Sequence, residues 1–345
     1  MTIRYDEAVN DRLDPRVRAL APSWPLDPPS DVASREEILA EVASSSGRSA
    51  VAAEAAFMDR GGREAIVPAG PFSVTERDIT STPDGNRIRV QVIRPPGSES
   101  LACVYFIHGG AMSTLSCFLE SYQAWARILS AHGVCVVMVD FRNAVVASSV
   151  PEVAPFPAGL HDCLAGLEWT HDHADEFGID PARIVVAGES GGGNLTIATG
   201  LALKRDGRLD MVKGLYALCP YIAGRWPDDR FPSSSAYNGL MLELHTNRGA
   251  MAYGIEAYRE RNPLAWPGFA TVDDVRGFPP TVVSVNECDP LRDEGIAFYR
   301  LLCDAGVPAR GRVVLGTGHA TELYPALCPE ITNDTARDLA AFARD

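Results

Sequence analysis

Lysine is nearly missing from this sequence, and no basic cluster takes its place. The 345 residues carry 31 Lys and Arg against 45 Asp and Glu, a net charge of −14, and lysine occurs only at Lys204 and Lys213. A surface of this sign repels phosphate backbones and anionic lipids. We therefore expect neither nucleic acid nor an anionic membrane as a partner.

Long apolar runs are also missing. No stretch approaches the roughly 18 consecutive apolar residues of a membrane-spanning helix, and the first residues, MTIRYDEAVNDRLDPR, contain no apolar segment of a secretion signal. The 8 cysteines are scattered without a CxxC pair, and most lie inside apolar runs. This pattern is typical of buried thiols in a reducing compartment. We expect a cytoplasmic protein without a membrane span.

Short apolar runs alternate with longer helical patterns along most of the chain. An antiparallel hairpin at 72–95 comes first, because apolar and polar side chains alternate on both sides of the turn PDG. The apolar runs then lie at 102–109, 133–141, 182–188, 214–220, 280–286 and 311–316, and the main helical patterns at 119–133, 156–178, 194–207 and 293–306. This alternation predicts an α/β fold whose sheet is mostly parallel and doubly wound, with helices on both faces.

Two segments depart from this alternation. Residues 1–70 are rich in Ala, Asp, Glu, Pro and Arg and predict helices, one of them opened by a capping box of Ser34 and Glu37. Residues 222–279 separate two core strands by far more than the usual connection of about 2–6 residues, and they include a helical pattern at 241–262. We expect a core of residues 71–221 and 280–345, with a helical cap formed by residues 1–70 and the insertion 222–279.

One short motif is typical of a reactive serine. Residues 188–192 read GESGG, the only G-x-S-x-G in the chain, and they lie between the strand at 182–188 and the helical pattern at 194–207. A sharp strand-to-helix turn requires small residues and directs the N-terminal amides of the helix toward charge that forms at the serine. This context predicts Ser190 as a nucleophile.

A serine nucleophile needs a general base, which follows it in the chain in this type of turn. Two histidines come after Ser190. His245 lies in the irregular insertion, whereas His319 directly follows the last predicted strand, where a loop would bring it beside the serine. We therefore predict His319 as the base.

The base in turn needs an acid that orients it. The candidates are the carboxylates that follow the strand at 280–286, namely Glu287, Asp289, Asp293 and Glu294. Asp289 stands at the carboxyl end of this strand, where open α/β sheets collect functional groups. Asp293 falls in the first turn of the next helix, where a carboxylate is more often a cap. We favour Asp289.

The loop after the strand at 102–109 predicts an oxyanion hole. It reads HGGA at 108–111, and small residues at Gly109, Gly110 and Ala111 let backbone N–H groups approach a substrate oxygen. The amide of Gly191 adds a further donor. We interpret His108 as a structural residue of the loop. The sequence contains no phosphate-loop pattern and no metal-ligand spacing, so we expect no cofactor and no metal.

Six motifs in this order resemble the hormone-sensitive-lipase family of esterases. They are HGGA at 108–111, DFRN at 140–143, FPAG at 156–159, GESGGGN at 188–194, DPLRDEG at 289–295 and GH at 318–319. The stretches GESGGGNL, AWPGFA and VNECDPLRDEGIAF are most similar to a bacterial member of this family. The resemblance covers residues 75–345 and implies the α/β-hydrolase fold with a cap built from N-terminal helices and an insertion before the acid strand.

The resemblance also assigns the site residues. The family's catalytic triad falls on Ser190, Asp289 and His319. Its oxyanion donors fall on Gly110, Ala111 and Gly191, with Gly109 shaping the loop. The chain departs from the family pattern at three places: Ala111 replaces a glycine, the usual GDSAGG reads GESGGG, and ATELY follows His319.

These residues together predict a serine carboxylesterase that works through an acyl-enzyme. The aromatic and apolar residues of the expected cap favour small to medium apolar esters or lactones as substrates. Two alternatives stay open: an acyltransferase or cyclase of secondary metabolism with the same triad, and a catalytically silent ligand-binding module. Homo-oligomer formation also stays open.

Overall fold

The sheet follows the apolar runs of the sequence. The structure is a computed structural model that describes residues 11–20, 29–63, 67–68, 70–97 and 99–345. Within these residues one sheet of eight strands has the order β1-β2-β4-β3-β5-β6-β7-β8. The strands are β1 Ser73–Thr80, β2 Arg87–Arg94, β3 Leu101–Ile107, β4 Cys135–Asp140, β5 Ile179–Glu189, β6 Gly214–Leu218, β7 Thr281–Asn286 and β8 Ala309–Val314.

Strand direction divides this sheet into two parts. The strands β1 and β2 form the predicted hairpin, with Ser73 opposite Arg94 and Thr80 opposite Arg87, and β2 is antiparallel to β4. All other neighbours are parallel. Every residue of β4, β6 and β7 is buried, as expected when helices cover both faces. The predicted α/β fold with a mostly parallel sheet is confirmed.

The helices form a layer on each face of the sheet. Those of the described residues are α1 Pro15–Leu20, α2 Arg35–Ala43, α3 Ser45–Arg63, α4 Glu120–Ser130, α5 Ala158–Asp172, α6 Gly191–Arg205, α7 Ser233–Ala236, α8 Arg248–Tyr253, α9 Ile255–Arg259, α10 Val272–Val275, α11 Arg292–Asp304 and α12 Pro329–Arg344. On one face α4 and α12 bury Trp125 and Leu339. On the other face α5, α6 and α11 bury Leu167, Leu201 and Leu302.

The N-terminal helices contact different parts of the molecule. Just before α1, the Asp14 N–H donates to the Gly316 carbonyl in the loop after β8 (2.8 Å). The helix α3 lies along α4, where Met58 is buried and Asp59 accepts the Glu120 N–H (3.1 Å). The segment before α2 packs on the insertion instead, because the Asn247 side chain exchanges two hydrogen bonds with the Val32 backbone (2.8 and 2.9 Å).

The helix α2 begins where the capping pattern predicts. Ser34 is the N-cap residue, and its side chain accepts the Glu37 N–H at 3.4 Å. The Glu37 carboxylate accepts the N–H of Ala33 (2.8 Å) rather than that of the cap residue itself. The first bond pairs a donor that the first helical turn leaves without a partner, and the second joins the residue before the cap to the helix.

The insertion between β6 and β7 is less helical than its sequence suggests. The helix predicted over 241–262 is wrong in its first part, because α8 starts only at Arg248. Gly254 then separates α8 from α9 with an extended φ of 175°. An extended residue interrupts the hydrogen-bond ladder of a helix, so the segment forms two short helices.

Two further expectations concern the cysteines and the membrane. Seven of the 8 cysteines are buried, and Cys303 on α11 is exposed, as their position within apolar runs indicates. Among the described residues, no helix combines the length and the apolar character that crossing a bilayer requires.

Candidate active site

Ser190 lies at the turn between β5 and α6. Its φ of 56° is in the left-handed region, which is strained for a residue with a Cβ. Two backbone bonds hold this conformation: the Ser190 N–H donates to Leu218 O (2.9 Å), and its carbonyl accepts the Tyr221 N–H (3.0 Å). A Cβ on Gly192 would overlap the carbonyl oxygen of Ile107 on β3. The glycine of the motif is therefore required by the close approach of the turn to the sheet.

Three predicted residues meet at this turn. The Ser190 Oγ lies 2.9 Å from His319 Nε2, and His319 Nδ1 lies 2.8 Å from Asp289 Oδ2. The second oxygen of Asp289 accepts the Leu291 N–H (2.9 Å). Asp289 is fully buried, whereas Ser190 and His319 keep 7% and 9% of their surface exposed. With a carboxylate on Nδ1, a neutral imidazole presents its Nε2 lone pair to the serine hydroxyl.

Opposing effects act on the base. Burial lowers the pKa of His319, because it disfavours the imidazolium. The adjacent carboxylate of Asp289 raises it, with further contributions from the buried carboxylates of Glu189 and Glu322. The outcome is a pKa above the ordinary value of a histidine. The surrounding carboxylates therefore favour a protonated imidazole, the form that exists after the serine has lost its proton.

The other candidate residues bind elsewhere in the fold. Asp293 accepts the N–H at the start of α7 (2.7 Å), and Glu287 accepts the N–H of Gly316 (2.9 Å). Glu294 accepts the indole N–H of Trp226 (2.6 Å) and two backbone N–H groups of the insertion. His245 stays within the insertion and donates to a backbone carbonyl there (2.8 Å). None of these four is in the hydrogen-bond chain of Ser190.

The HGGA loop folds over the start of α6. Gly110 has a φ of 89°, and Ala111 and the following Met112 have φ values of 52° and 56°. The nitrogens of Ala111 and Met112 lie beside the start of α6, because a Cβ on Gly191 would be only 2.8 and 2.5 Å from them. Within the described part of the chain, no acceptor bonds the N–H groups of Gly110, Ala111 or Gly191. The three amides are free to bind a substrate oxygen.

Gly109 contributes shape rather than a donor. Its N–H donates to the hydroxyl of Tyr122 (3.0 Å), which in turn donates to Glu189 Oε1 (2.6 Å). The Glu189 carboxylate packs directly against Gly109, where any Cβ would overlap it. Burial raises the pKa of Glu189, and the hydrogen bond from Tyr122 offsets part of that rise. This chain of bonds joins the loop to the residue that precedes the nucleophile.

His108 is part of the scaffold of the loop. Its Nδ1 donates to the Gly109 carbonyl (2.9 Å), and its ring stacks on Phe141 with centroids 4.2 Å apart. Its Nε2 lies 3.6 Å from Asp140 Oδ1. Burial lowers the pKa of His108, so the ring is neutral at physiological pH. These contacts agree with the structural interpretation of this residue.

A cavity of about 300 Å³ opens beside the HGGA loop. Its walls come from α2, from the insertion and from the loops after β3 and β4. Apolar side chains dominate the lining, among them Ile38, Val42, Val146, Leu244 and Ala252. Its lining includes Ala111, whose nitrogen lies close to Gly191, and Tyr221, whose N–H donates to the Ser190 carbonyl.

One group of potential metal ligands overlaps these residues. Cys219, Asp289 and His319 have ligand atoms within 4.8 Å of one another. His319 Nδ1 and Asp289 Oδ2 already bind each other, and burial raises the pKa of the Cys219 thiol. A cation at this place would have to displace the hydrogen bond that joins the histidine to the aspartate, so the donor set fits the proton relay better than a metal.

Several residues of the site carry no recognisable sequence motif. Met112 brings its amide beside Gly191, although only the HGGA motif itself was singled out. Tyr122 lies within an amphipathic helix pattern and carries no motif. Glu189 was noted only as a departure from the usual aspartate. The only sequence signal is the glutamate that replaces the usual aspartate at position 189, because a buried acidic side chain of this length needs a hydrogen-bond partner.

Comparison with known proteins gives the same fold and chemistry. Residues 104–323 match the model of a family described by the alpha/beta hydrolase fold. An arylesterase of Saccharolobus solfataricus is 32% identical over 271 residues, which cover 77% of this chain and 83% of the relative. Carboxylesterase NlhH of Mycobacterium tuberculosis is 31% identical over 277 residues, which cover 74% of this chain and 78% of the relative.

Solved structures extend the similarity over nearly the whole chain. Esterase Est22 with p-nitrophenol is 53% identical and superimposes with a TM-score of 0.94 over 96% of this chain and 98% of its own. Brefeldin A esterase, described as a bacterial homologue of human hormone sensitive lipase, is 38% identical with a TM-score of 0.83, over 97% of this chain and 94% of its own. The chain thus belongs to the hormone-sensitive-lipase family of α/β-hydrolase carboxylesterases.

Proposed function

We propose that Ser190, His319 and Asp289 are the catalytic triad with which this carboxylesterase hydrolyses its substrate. The observation that carries the proposal is the unbroken hydrogen-bond chain from Ser190 Oγ through His319 to Asp289, with distances of 2.9 and 2.8 Å. The nucleophile also stands at the N-terminus of α6, whose positive end stabilises negative charge. A catalytically silent binding module has no need of such a chain.

The reaction proceeds in two halves. His319 Nε2 accepts the Ser190 proton while Oγ forms a bond to the ester carbonyl carbon, and the carbonyl oxygen becomes an oxyanion. The imidazolium then protonates the leaving alcohol as the acyl–oxygen bond breaks. His319 then takes a proton from water, whose oxygen attacks the acyl carbon. The bond from this carbon to Ser190 Oγ breaks, the imidazolium returns the proton to Oγ, and the acid leaves. Asp289 holds the imidazole tautomer and stabilises the imidazolium throughout.

Backbone amides are the proposed oxyanion donors. Gly110, Ala111 and Gly191 have N–H groups that no described acceptor occupies, and the Ala111 nitrogen lies close to Gly191, where α6 meets the loop. In a measured hydrolase, loss of one such donor costs about 3–4 kcal/mol of transition-state stabilisation. Gly109 shapes the loop, since its N–H is bound to Tyr122.

The cavity supports an apolar acyl or alcohol group of small to medium size in the ester or lactone. Its volume is about 300 Å³ and aliphatic side chains form most of its wall. Because α2 and the insertion supply two of its walls, we propose that residues 1–70 and 222–279 act as the cap over the core of residues 71–221 and 280–345.

We also propose a cytoplasmic location, in keeping with the buried thiols, and no nucleic-acid partner, given the net charge of −14.

The nucleophile can be tested by labelling. A fluorophosphonate should modify the wild-type protein at Ser190, and Ser190→Ala should lower kcat on p-nitrophenyl acetate by about six orders of magnitude with an unchanged circular dichroism spectrum. Labelling at another residue, or more than a few per cent of residual activity, refutes the assignment. A panel of p-nitrophenyl esters and lactones then defines the substrate, and product analysis with an added alcohol separates hydrolysis from acyl transfer.

A further inference from the structure

The oxyanion loop has a conformation that its own residues do not favour. Ala111 and Met112 are consecutive residues with side chains, and both are left-handed, with φ values of 52° and 56°. L-residues avoid this region, and two in succession are rarer still. Two bonds within the loop close this turn, from the Ser113 and Thr114 N–H groups to the Gly110 carbonyl (2.8 and 3.0 Å), and contacts from outside the loop stabilise it further.

The loop after β4 supplies those contacts. The Ala144 N–H donates to the Met112 carbonyl (2.9 Å), and the N–H groups of Val145 and Val146 donate to the Ser113 carbonyl (3.2 and 2.8 Å). These three bonds fix the positions of the Met112 and Ser113 carbonyls, which follow the Ala111 amide in the chain. A shift of residues 144–146 would therefore move the proposed oxyanion donor.

The loop after β4 is in turn bound by the cap. Arg35, the first residue of α2, donates from Nε and from one terminal nitrogen to the Ala144 carbonyl (3.1 and 2.5 Å). Ala144 is thus held on both sides: its carbonyl by Arg35 and its N–H by Met112. The same helix supplies Ile38 and Val42 to the cavity wall. The position of α2 on the protein and the position of the oxyanion loop are therefore linked through the hydrogen bonds of Arg35.

We propose that Arg35 is a positioning residue that ties the docked cap helix α2 to the oxyanion loop through Ala144. The proposal rests on the oxyanion role assigned above. Arg35 touches neither Ser190 nor His319, and it acts on the transition state through the backbone of Ala144 and Met112. The effect on the transition state then passes through the Arg35–Ala144 hydrogen bonds in particular, and not through cap docking in general.

The test compares Arg35→Met and Arg35→Lys with Glu41→Gln. Glu41 is on the same helix and pairs with Arg248 of the insertion (2.6 Å), so Glu41→Gln weakens cap docking without touching Ala144. We expect Arg35→Met to lower kcat on p-nitrophenyl acetate about 10- to 100-fold, since small misplacements of donors have effects of this size, with KM nearly unchanged. Arg35→Lys keeps one donor and should recover part of the loss. Glu41→Gln should stay within about twofold of wild type, as expected for an exposed ion pair.

A trifluoromethyl ketone provides a second readout. Ser190 Oγ adds to its carbonyl carbon, the serine proton passes to His319, and the ketone oxygen occupies the oxyanion hole as an alkoxide. Because this adduct resembles the tetrahedral intermediate, its inhibition constant should rise in Arg35→Met by about the factor by which kcat falls. Decan-1-ol, which carries no negatively charged oxygen, should bind equally well to both.

Specific results would overturn the proposal. Unchanged kcat and ketone inhibition in Arg35→Met, with only KM for octanoate raised, would make Arg35 part of the cavity wall. Equal kcat losses in Arg35→Met and Glu41→Gln would assign the effect to cap docking in general. If Arg35→Met does not fold by circular dichroism, Arg35→Lys and Arg35→Gln are judged by the same criterion. Wild-type turnover and labelling of Ser190 test the proposed function separately, because neither depends on Arg35.

Discussion

Replacing Asp289 by asparagine should abolish most of the activity while leaving the site in place. The reason lies in the second oxygen of the carboxylate, which accepts the Leu291 N–H at 2.9 Å. Only the amide oxygen of asparagine can replace that acceptor, so its NH₂ group must face His319 Nδ1. A donor at this point forces the imidazole to place its proton on Nε2. The tautomer that results cannot accept the proton of Ser190.

The expected magnitude is large and specific. Loss of the correct tautomer in a serine hydrolase lowers kcat about 10⁴-fold, which corresponds to about 5.5 kcal/mol in the activation free energy. The matched control is Asp293→Asn, four residues along the chain. There the amide oxygen still accepts the N–H at the start of α7, and only the ion pair with Arg292 (2.8 Å) is lost. We expect about 1 kcal/mol less unfolding free energy and nearly normal kcat.

The assay is p-nitrophenol release from the acetate ester at saturating substrate. Urea unfolding, followed by tryptophan fluorescence, shows whether each variant is folded and by how much its stability changes. An active Asp289→Asn beside an inactive Asp293→Asn would show that the wrong acid has been assigned. Residual activity of Asp289→Asn above about one tenth of wild type would refute the tautomer argument even if the assignment holds.

Two further predictions concern pH and the cavity. Because only the neutral imidazole accepts the serine proton, kcat/KM should be lost as pH falls through the raised pKa of His319. The midpoint of a pH–rate profile should therefore lie above the ordinary histidine value of about 6.5, and a midpoint below it would contradict the electrostatics described here. Val42→Trp should fill part of the cavity and lower kcat/KM for the octanoate ester at least about tenfold more than for the acetate ester. Equal losses on both esters would show that the cavity does not bind the acyl chain.

The strands and the three residues at the turn could be predicted from the sequence for one reason. A strand buried on both faces must be apolar throughout, and Ser190 and Asp289 each stand shortly after such a run, whereas His319 follows the partly exposed edge strand β8. Their proximity then follows from the parallel order of the sheet, because the carboxyl ends of parallel strands lie at one edge. At these positions, the local sequence pattern and the parallel strand order of the sheet predict the same location for the site.

Contacts between segments that are distant in the sequence could not be predicted in this way. Tyr122 and Glu189 are 67 residues apart, and Arg35 and Ala144 are 109 apart. Their pairing depends on how helices pack on the sheet, which no periodicity encodes. The helix prediction for the first part of the insertion was wrong for a different reason. Residues 241–247 have a helical composition, but tertiary contacts such as those of Asn247 with Val32 override this weak local propensity.

The backbone origin of the proposed oxyanion donors determines how this loop responds to mutation. An alanine scan cannot remove an N–H group, and at Gly110 and Ala111 it has little or no side chain to delete. Sequence divergence at position 111 leaves the backbone donor in place, and it is limited by the left-handed φ and by the cavity that Ala111 lines. Mutational sensitivity should therefore come from two sources: the loop glycines, since a Cβ on Gly110 would overlap the backbone oxygen of Thr114, and residues that never meet the substrate. Deep mutational scanning would detect the hole through those supports, whereas exchange of a single amide for an ester bond by expressed protein ligation would reach the donor itself.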